Sequence, residues 1–115
     1  METTSLNINR LIECRKKLGI TKQEAAKRMN MSQPAYLRYE SGQRIPSLHV
    51  IYTMADVLST SAEYLLGETD NPKPTRYIIE VKNEPELFEI VERLNSTDIE
   101  TKKRFIAYMK DWWNN

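Results

Sequence analysis

Residues Gly19-Ile-Thr-Lys-Gln-Glu-Ala-Ala-Lys-Arg-Met-Asn-Met-Ser-Gln-Pro-Ala-Tyr-Leu-Arg-Tyr-Glu-Ser-Gly42 decide the reading of this chain. Thr21 followed by Glu24 is a capping box, in which the hydroxyl meets an early backbone N–H and the carboxylate reaches back. A helix therefore opens there and runs to about Met29. Ser32 is a second N-cap, and Pro34 falls in the first turn of the next helix, Gln33 to Ser41, where no intrahelical N–H bond is needed. Only Asn30-Met31-Ser32 separates the two helices. That is too little chain for an antiparallel return, so they must cross steeply.

Working outward, the apolar period predicts a first helix from about Ile8 to Leu18, with Ile8, Leu11, Ile12, Arg15 and Leu18 on its inner stripe. Ser47 caps a fourth helix with Leu48, Ile51, Ala55 and Leu58 inward, and Ser61 caps a short fifth through Leu66. Gly19, Gly42 and Gly67 each follow an apolar-periodic run and read as helix C-caps. Pro72 and Pro74 mark residues 68–75 as a linker. Beyond it, Arg76-Tyr-Ile-Ile-Glu-Val81 alternates like a strand, which would need a partner strand, for instance from a second subunit. Pro85 opens a helix to about Asn95, with Leu87, Phe88, Val91 and Leu94 on one side. Thr97 and Glu100 form a second capping box for a last helix whose broad apolar stripe is Ile99, Phe105, Ile106, Met109, Trp112 and Trp113.

The expected fold is all-α. A five-helix domain containing a helix-turn-helix occupies residues 1–67, a linker 68–75, and a small, mainly helical appendage with one candidate short strand residues 76–115.

At 115 residues the chain is one ordinary domain, or one small domain with an appendage. With 40% apolar and 29% charged residues it can bury a core. No apolar run approaches the ~18 residues that a membrane span needs, and no export signal opens the chain. Cys14 is the single cysteine, so neither an internal disulfide nor a Cys-based zinc site can form, which suits the reducing cytoplasm. Cys14 is expected to be a small packing residue and the lone His49 a surface residue, with no metal or cofactor. Lys+Arg and Asp+Glu nearly balance at 17 and 16, but the charge is split. Residues 1–67 carry a net +3 and residues 68–115 a net −2, while residues 15–44 alone carry +6. Positive charge thus concentrates on the two steeply crossed helices, as an electrostatic footprint for phosphate requires.

The Gly19–Gly42 stretch, with Arg44-Ile-Pro-Ser-Leu48 and Ser61-Ala-Glu-Tyr-Leu-Leu66, closely resembles the DNA-binding domain of phage-repressor-like regulators, the xenobiotic response element (XRE) helix-turn-helix family. The likeness spans roughly residues 7–67. It implies five helices, dimeric binding to palindromic double-stranded DNA and a role in transcription, with the third helix in the major groove. Helical spacing puts positions 33, 34, 37, 38 and 41 on one face and Tyr36 and Tyr39 on the other. Gln33 matches the family's glutamine that pairs with adenine, and Arg38, one turn on, has the fork for guanine O6 and N7. Pro34 departs from the family's usual polar residue. Like Ala35, it offers only an apolar contact, such as one to a thymine methyl. Lys22 replaces a phosphate-binding glutamine and still supplies a point charge, and Gln43 and Arg44 would hold phosphates on the other side. Arg15 and Glu40 match the family's ion pair, which ties the first helix to the third.

Some such repressors carry a self-cleaving protease domain, but residues 68–115 are too few to build one, and no nucleophile motif or phosphate-cradling glycine loop stands out. The chain is not expected to be an enzyme. Two readings follow. In the first, it is a sequence-specific transcriptional regulator, a repressor binding a palindromic operator as a homodimer. In the second, it is an antitoxin-like or accessory module whose appendage, through Tyr77, Phe88, Phe105, Trp112 and Trp113, grips another protein.

Overall fold

The computed structural model describes residues 5–114. Residues 1–4, which open the expected first domain, and residue 115 lie outside the described part. Among the described residues the fold is all-α, with seven helices and no strand: α1 (Ile8–Lys17), α2 (Lys22–Arg28), α3 (Gln33–Glu40), α4 (Leu48–Val57), α5 (Ala62–Leu65), α6 (Pro85–Ser96) and α7 (Ile99–Trp113). They divide into two compact units, Met1–Tyr77 and Ile78–Asn115.

In the first unit each helix starts at a side-chain cap. Asn7, Thr21, Ser32, Ser47 and Ser61 each accept a hydrogen bond from the backbone N–H three residues on, which satisfies an otherwise orphaned donor. The α2–α3 turn closes through Asn30, in the left-handed conformation at φ +57°, and through the Met31 amide, which donates to the Ala26 carbonyl at 3.0 Å. Asparagine tolerates that conformation better than most residues. α2 packs on α3, α1 on α3 and α5, and α4 on α5, around Leu11, Ala25, Tyr36, Ile51, Met54 and Leu65. Gly42, at φ +82°, ends α3, and an added Cβ would lie 3.2 Å from Ile8 Cδ1. Both the turn and the close approach of α1 favour glycine there.

Two residues expected on inner stripes point outward. Leu18 is 40% exposed because it caps the end of α1, and Leu48 is 49% exposed because it is the first residue of α4. Cys14 and Met54 occupy the interior on those helices instead.

Residues 68–77 lie against the helices of the first unit. The Arg10 guanidinium stacks on the Tyr64 ring at 4.2 Å and donates to the carbonyls of Tyr64 (2.8 Å) and Thr69 (2.6 Å) while pairing with Asp70 at 2.8 Å. The Thr60 hydroxyl donates to the Pro72 carbonyl at 2.7 Å. Arg76 grips both Asp56 oxygens, at 2.9 and 2.7 Å, and stacks over Tyr52 at 4.8 Å.

The strand expected at residues 76–81 does not form. Arg76 is held by α4, and at the far end of the segment the Glu80 carbonyl accepts from the amides of Asn83 and Glu84, turning the chain. A lone extended segment with no facing edge has no ladder to join.

In the second unit α6 and α7 are separated by Thr97 and Asp98 alone. Asp98, not Thr97, is the cap of α7: its carboxylate accepts from the Thr101 amide at 3.1 Å and from the Thr101 hydroxyl at 2.6 Å. These bonds hold the Asp98 carboxyl below its ordinary pKa. Neither helix contains a buried residue. No helix among the described residues is long and apolar enough to cross a membrane.

Burial separates the two faces of α4 by a measurable amount. Ile51→Ala should destabilise the chain by about 2–5 kcal/mol in urea unfolding, as cavities at fully buried sites do, whereas Leu48→Ala should stay within about 0.5 kcal/mol. Equal losses would contradict the packing described.

Candidate nucleic-acid interface

The surface of interest is built on α3, whose sequence assigns opposite duties to its two sides. Tyr36 and Tyr39 are buried under the helix, and Gln33, Pro34, Leu37 and Arg38 are exposed along its outer side. The Ser32 hydroxyl caps α3 by accepting the Ala35 amide at 3.2 Å, and Ala35 itself is half-buried.

A buried ion pair fixes the helix from below. Arg15 Nε donates to Glu40 Oε2 at 3.0 Å and Nη2 to Oε1 at 3.1 Å, a two-pronged bond between residues 7% and 8% exposed. Arg15 Nη1 donates to the Ile20 carbonyl at 2.9 Å, so a single guanidinium joins α1, the α1–α2 connection and the end of α3. Hydrogen bonding to Glu40 raises the Arg15 pKa against the opposing effect of burial. The Tyr36 phenol beside the pair is raised well above its ordinary pKa, first by burial and then by the Glu40 carboxylate, and stays neutral at physiological pH.

Lys22, Pro34, Leu37, Arg38, Ser41 and Gln43 line one open groove over this pair. Lys22 Nζ stands 3.9 Å from Glu40 Oε1 yet is half exposed, so it faces the pair and the solvent together. The Arg38 carbonyl accepts from the Ser41 hydroxyl at 3.2 Å and from the Arg44 amide at 3.1 Å, which ties the following loop to the last turn of α3. The Arg44 guanidinium lies 5.7 Å from the centre of the Tyr39 ring. Gln33 is placed elsewhere, beside Gln23, Lys27, Asn30 and Met31 in a second open depression at the start of α3.

Gln23 and Lys27 were not singled out by sequence reasoning. Their signal was present in the spacing, since both lie on the α2 side that faces the three-residue turn. Leu37 and Ser41 share the exposed face with Arg38. His49 is exposed, whereas Cys14 is buried, with burial raising its thiol pKa and so keeping it protonated. No group of His, Cys, Asp or Glu suited to a metal occurs among the described residues. Of the aromatic residues expected to form an interaction surface, Tyr77 belongs to the first unit and is 81% exposed. Phe88, Phe105, Trp112 and Trp113 belong to the second, where Phe88 is half-buried and the others are exposed.

Two helices packed together across a short turn, the second held by a buried ion pair and bared on its outer side, match the arrangement of a module that reads the major groove. The family model described as helix-turn-helix matches residues 11–65. The HTH-type transcriptional regulator YqaE of Bacillus subtilis (strain 168), itself uncharacterized, is 34% identical over 79 residues, covering 68% of each chain. The chain belongs to the XRE-type helix-turn-helix family. Two further relatives from the same organism agree. The regulator AnsR is 34% identical over 76 residues, 66% of each chain, and the regulator ImmR is 33% identical over 64 residues, 56% of this chain and half of its own length. Like other members of the family, the chain is a DNA-binding transcription regulator and not an enzyme. The part of the relatives that it matches is about two thirds of YqaE and AnsR.

The ion pair makes a prediction about stability that the exposed face does not share. Glu40→Ala should cost about 3–5 kcal/mol in chemical unfolding, because it leaves a buried guanidinium unpaired. Arg15→Met combined with Glu40→Leu should cost far less than the two single changes summed. Additive losses would show that the two residues do not act as a unit.

Proposed function

We propose that this protein is a sequence-specific repressor that binds a palindromic operator as a homodimer and works in the cytoplasm by occupying a promoter against polymerase. The observation that carries this reading is the outer face of α3. It bears Gln33, Pro34 and Arg38, it is free of packing duty, and Lys22, Lys27 and Arg44 stand around it. In this reading Gln33 pairs with adenine N6 and N7, and Arg38 forks onto guanine O6 and N7. Pro34 offers an apolar contact to a thymine methyl, with Ala35 half-buried behind it. Lys22, Gln43 and Arg44 contact phosphates and set the position of the helix without choosing a base.

Two copies must sit about one helical turn of DNA apart, ~34 Å, for both reading helices to enter the same face of the duplex. A homodimer supplies that arrangement. The bare apolar sides of α6 and α7 support self-association, because helices of this length with nothing buried are marginal alone in water. The same bare surface, with Phe105, Trp112 and Trp113 exposed, favours the second reading, in which the appendage grips a different protein. Solution mass at micromolar concentration separates the two: a dimer fits the first, and a monomer that exposes its aromatic residues fits the second.

The direct test is selection of bound sequences from a randomised duplex library at about 150 mM salt, where unspecific phosphate attraction is weakened. The expected result is a palindrome with half-sites one turn apart. Weak, salt-sensitive binding with no enriched sequence would overturn the proposal. In the same assay Arg38→Ala should relax the preference at one base pair of each half-site, at roughly 1–3 kcal/mol of discrimination. Lys22→Ala should weaken binding to all sequences and flatten its salt dependence. A uniform loss with unchanged base preference in the Arg38 variant would refute the role given to Arg38.

A further inference from the structure

The prolines and polar residues of positions 68–75 have the composition of a free connection, yet three independent anchors hold this segment along the first unit. Near its start Arg10 takes the Thr69 carbonyl and the Asp70 carboxylate. In its middle Thr60 takes the Pro72 carbonyl. At its end Arg76 takes both carboxylate oxygens of Asp56 and covers the Tyr52 ring. The anchors come from α1, from the α4–α5 connection and from α4, so the segment is laced across several elements. The first unit ends at Tyr77, one residue past the last anchor. The point at which the chain leaves the reading domain is therefore fixed beside α4.

We infer that residues 68–77 are a strap that sets the spacing between operator half-sites, with Arg76 and Thr60 as spacing-determining residues that touch no DNA. The inference rests on the dimeric reading above. In a dimer joined through the second unit, the distance between reading helices is limited by the chain that is not bound to either unit. With the strap in place no such chain is left, since the first unit ends at Tyr77 and the second begins at Ile78, and with the middle and end anchors released residues 71–77 are added. As flexible chain these residues have an r.m.s. reach of roughly 15 Å. Successive base pairs are about 3.4 Å apart along the duplex, so that reach covers several registers of half-site spacing. Releasing the strap also dilutes each reading domain around its partner's half-site. The effective concentration falls as the released connection lengthens, roughly as the −3/2 power of its length.

The test compares the whole protein with Thr60→Val/Arg76→Ala, using selection from a library in which two half-sites are separated by every spacing from contact to two turns. Arg10 is left intact because it also supports α5 through the Tyr64 carbonyl. The wild type is expected to enrich one spacing. The variant is expected to keep the same half-site sequence, which shows that its reading domain is folded. It should also spread over several neighbouring spacings and bind the wild type's preferred duplex several-fold more weakly. Thr60→Val combined with Asp56→Arg/Arg76→Asp, which reverses the pair, should restore much of the sharp spacing. An equally sharp spacing and unchanged affinity in the Thr60→Val/Arg76→Ala variant would overturn the inference while leaving the dimeric reading intact. Single, unpaired half-sites enriched by the wild type would overturn the dimeric reading and the strap's role with it.

Discussion

Everything presented by α3 depends on one buried contact, the two-pronged bond between Arg15 and Glu40. A guanidinium and a carboxylate taken out of water are tolerated only when they satisfy each other, so the pair admits few alternative positions of α1 against α3. Arg15 uses a further N–H on the Ile20 carbonyl, which includes the entry to α2 in the same restraint. α3 is thereby referenced to α1 and to the entry to α2 through a single side chain. The contribution lies in register, since hydrophobic side chains of similar volume could fill the same space without specifying the angle. Tyr36, fully buried beside the pair, completes the floor on which the outer face stands.

That floor leaves α3 free to specialise outward. Its buried side is aromatic and carries the paired Glu40, and its outer side is short of large apolar residues other than Leu37. Around it the positive charge comes from different elements, Lys22 and Lys27 from α2 and Arg44 from the loop after α3. In the proposed reading, phosphate attraction and base reading would be supplied by separate pieces of backbone. Lys22 has a dual position, half exposed yet 3.9 Å from Glu40, and so stands between solvent and the ion pair beneath.

Much of this was legible in the residues because caps and turns are local. Thr21, Ser32, Ser47 and Ser61 each announce a helix start by chemistry completed within three residues, and the three-residue connection at 30–32 is enough to require steep crossing. The misreadings fall where local information ends. Leu18 and Leu48 have the right period but sit at helix termini, where the stripe no longer faces the core. At Thr97-Asp98 two neighbouring residues could each cap α7, and Asp98 wins through two bonds to Thr101. The alternation of residues 76–81 suits a strand, but a strand exists only with a partner edge, which no local pattern can supply. The anchoring of residues 68–77 was invisible for the same reason. Arg10 and Thr69 are 59 positions apart, and composition alone describes that segment as a spacer.

The central claim is that the outer face of α3 meets DNA while the second unit does not. Amide chemical-shift mapping of the isotopically labelled protein, titrated with a duplex, tests it most directly. Perturbations concentrated at residues 22–27, 33–38 and 41–44, saturating at one protomer per half-site, are the result this account predicts. Perturbations centred on residues 85–113 with the α3 amides unmoved would contradict it.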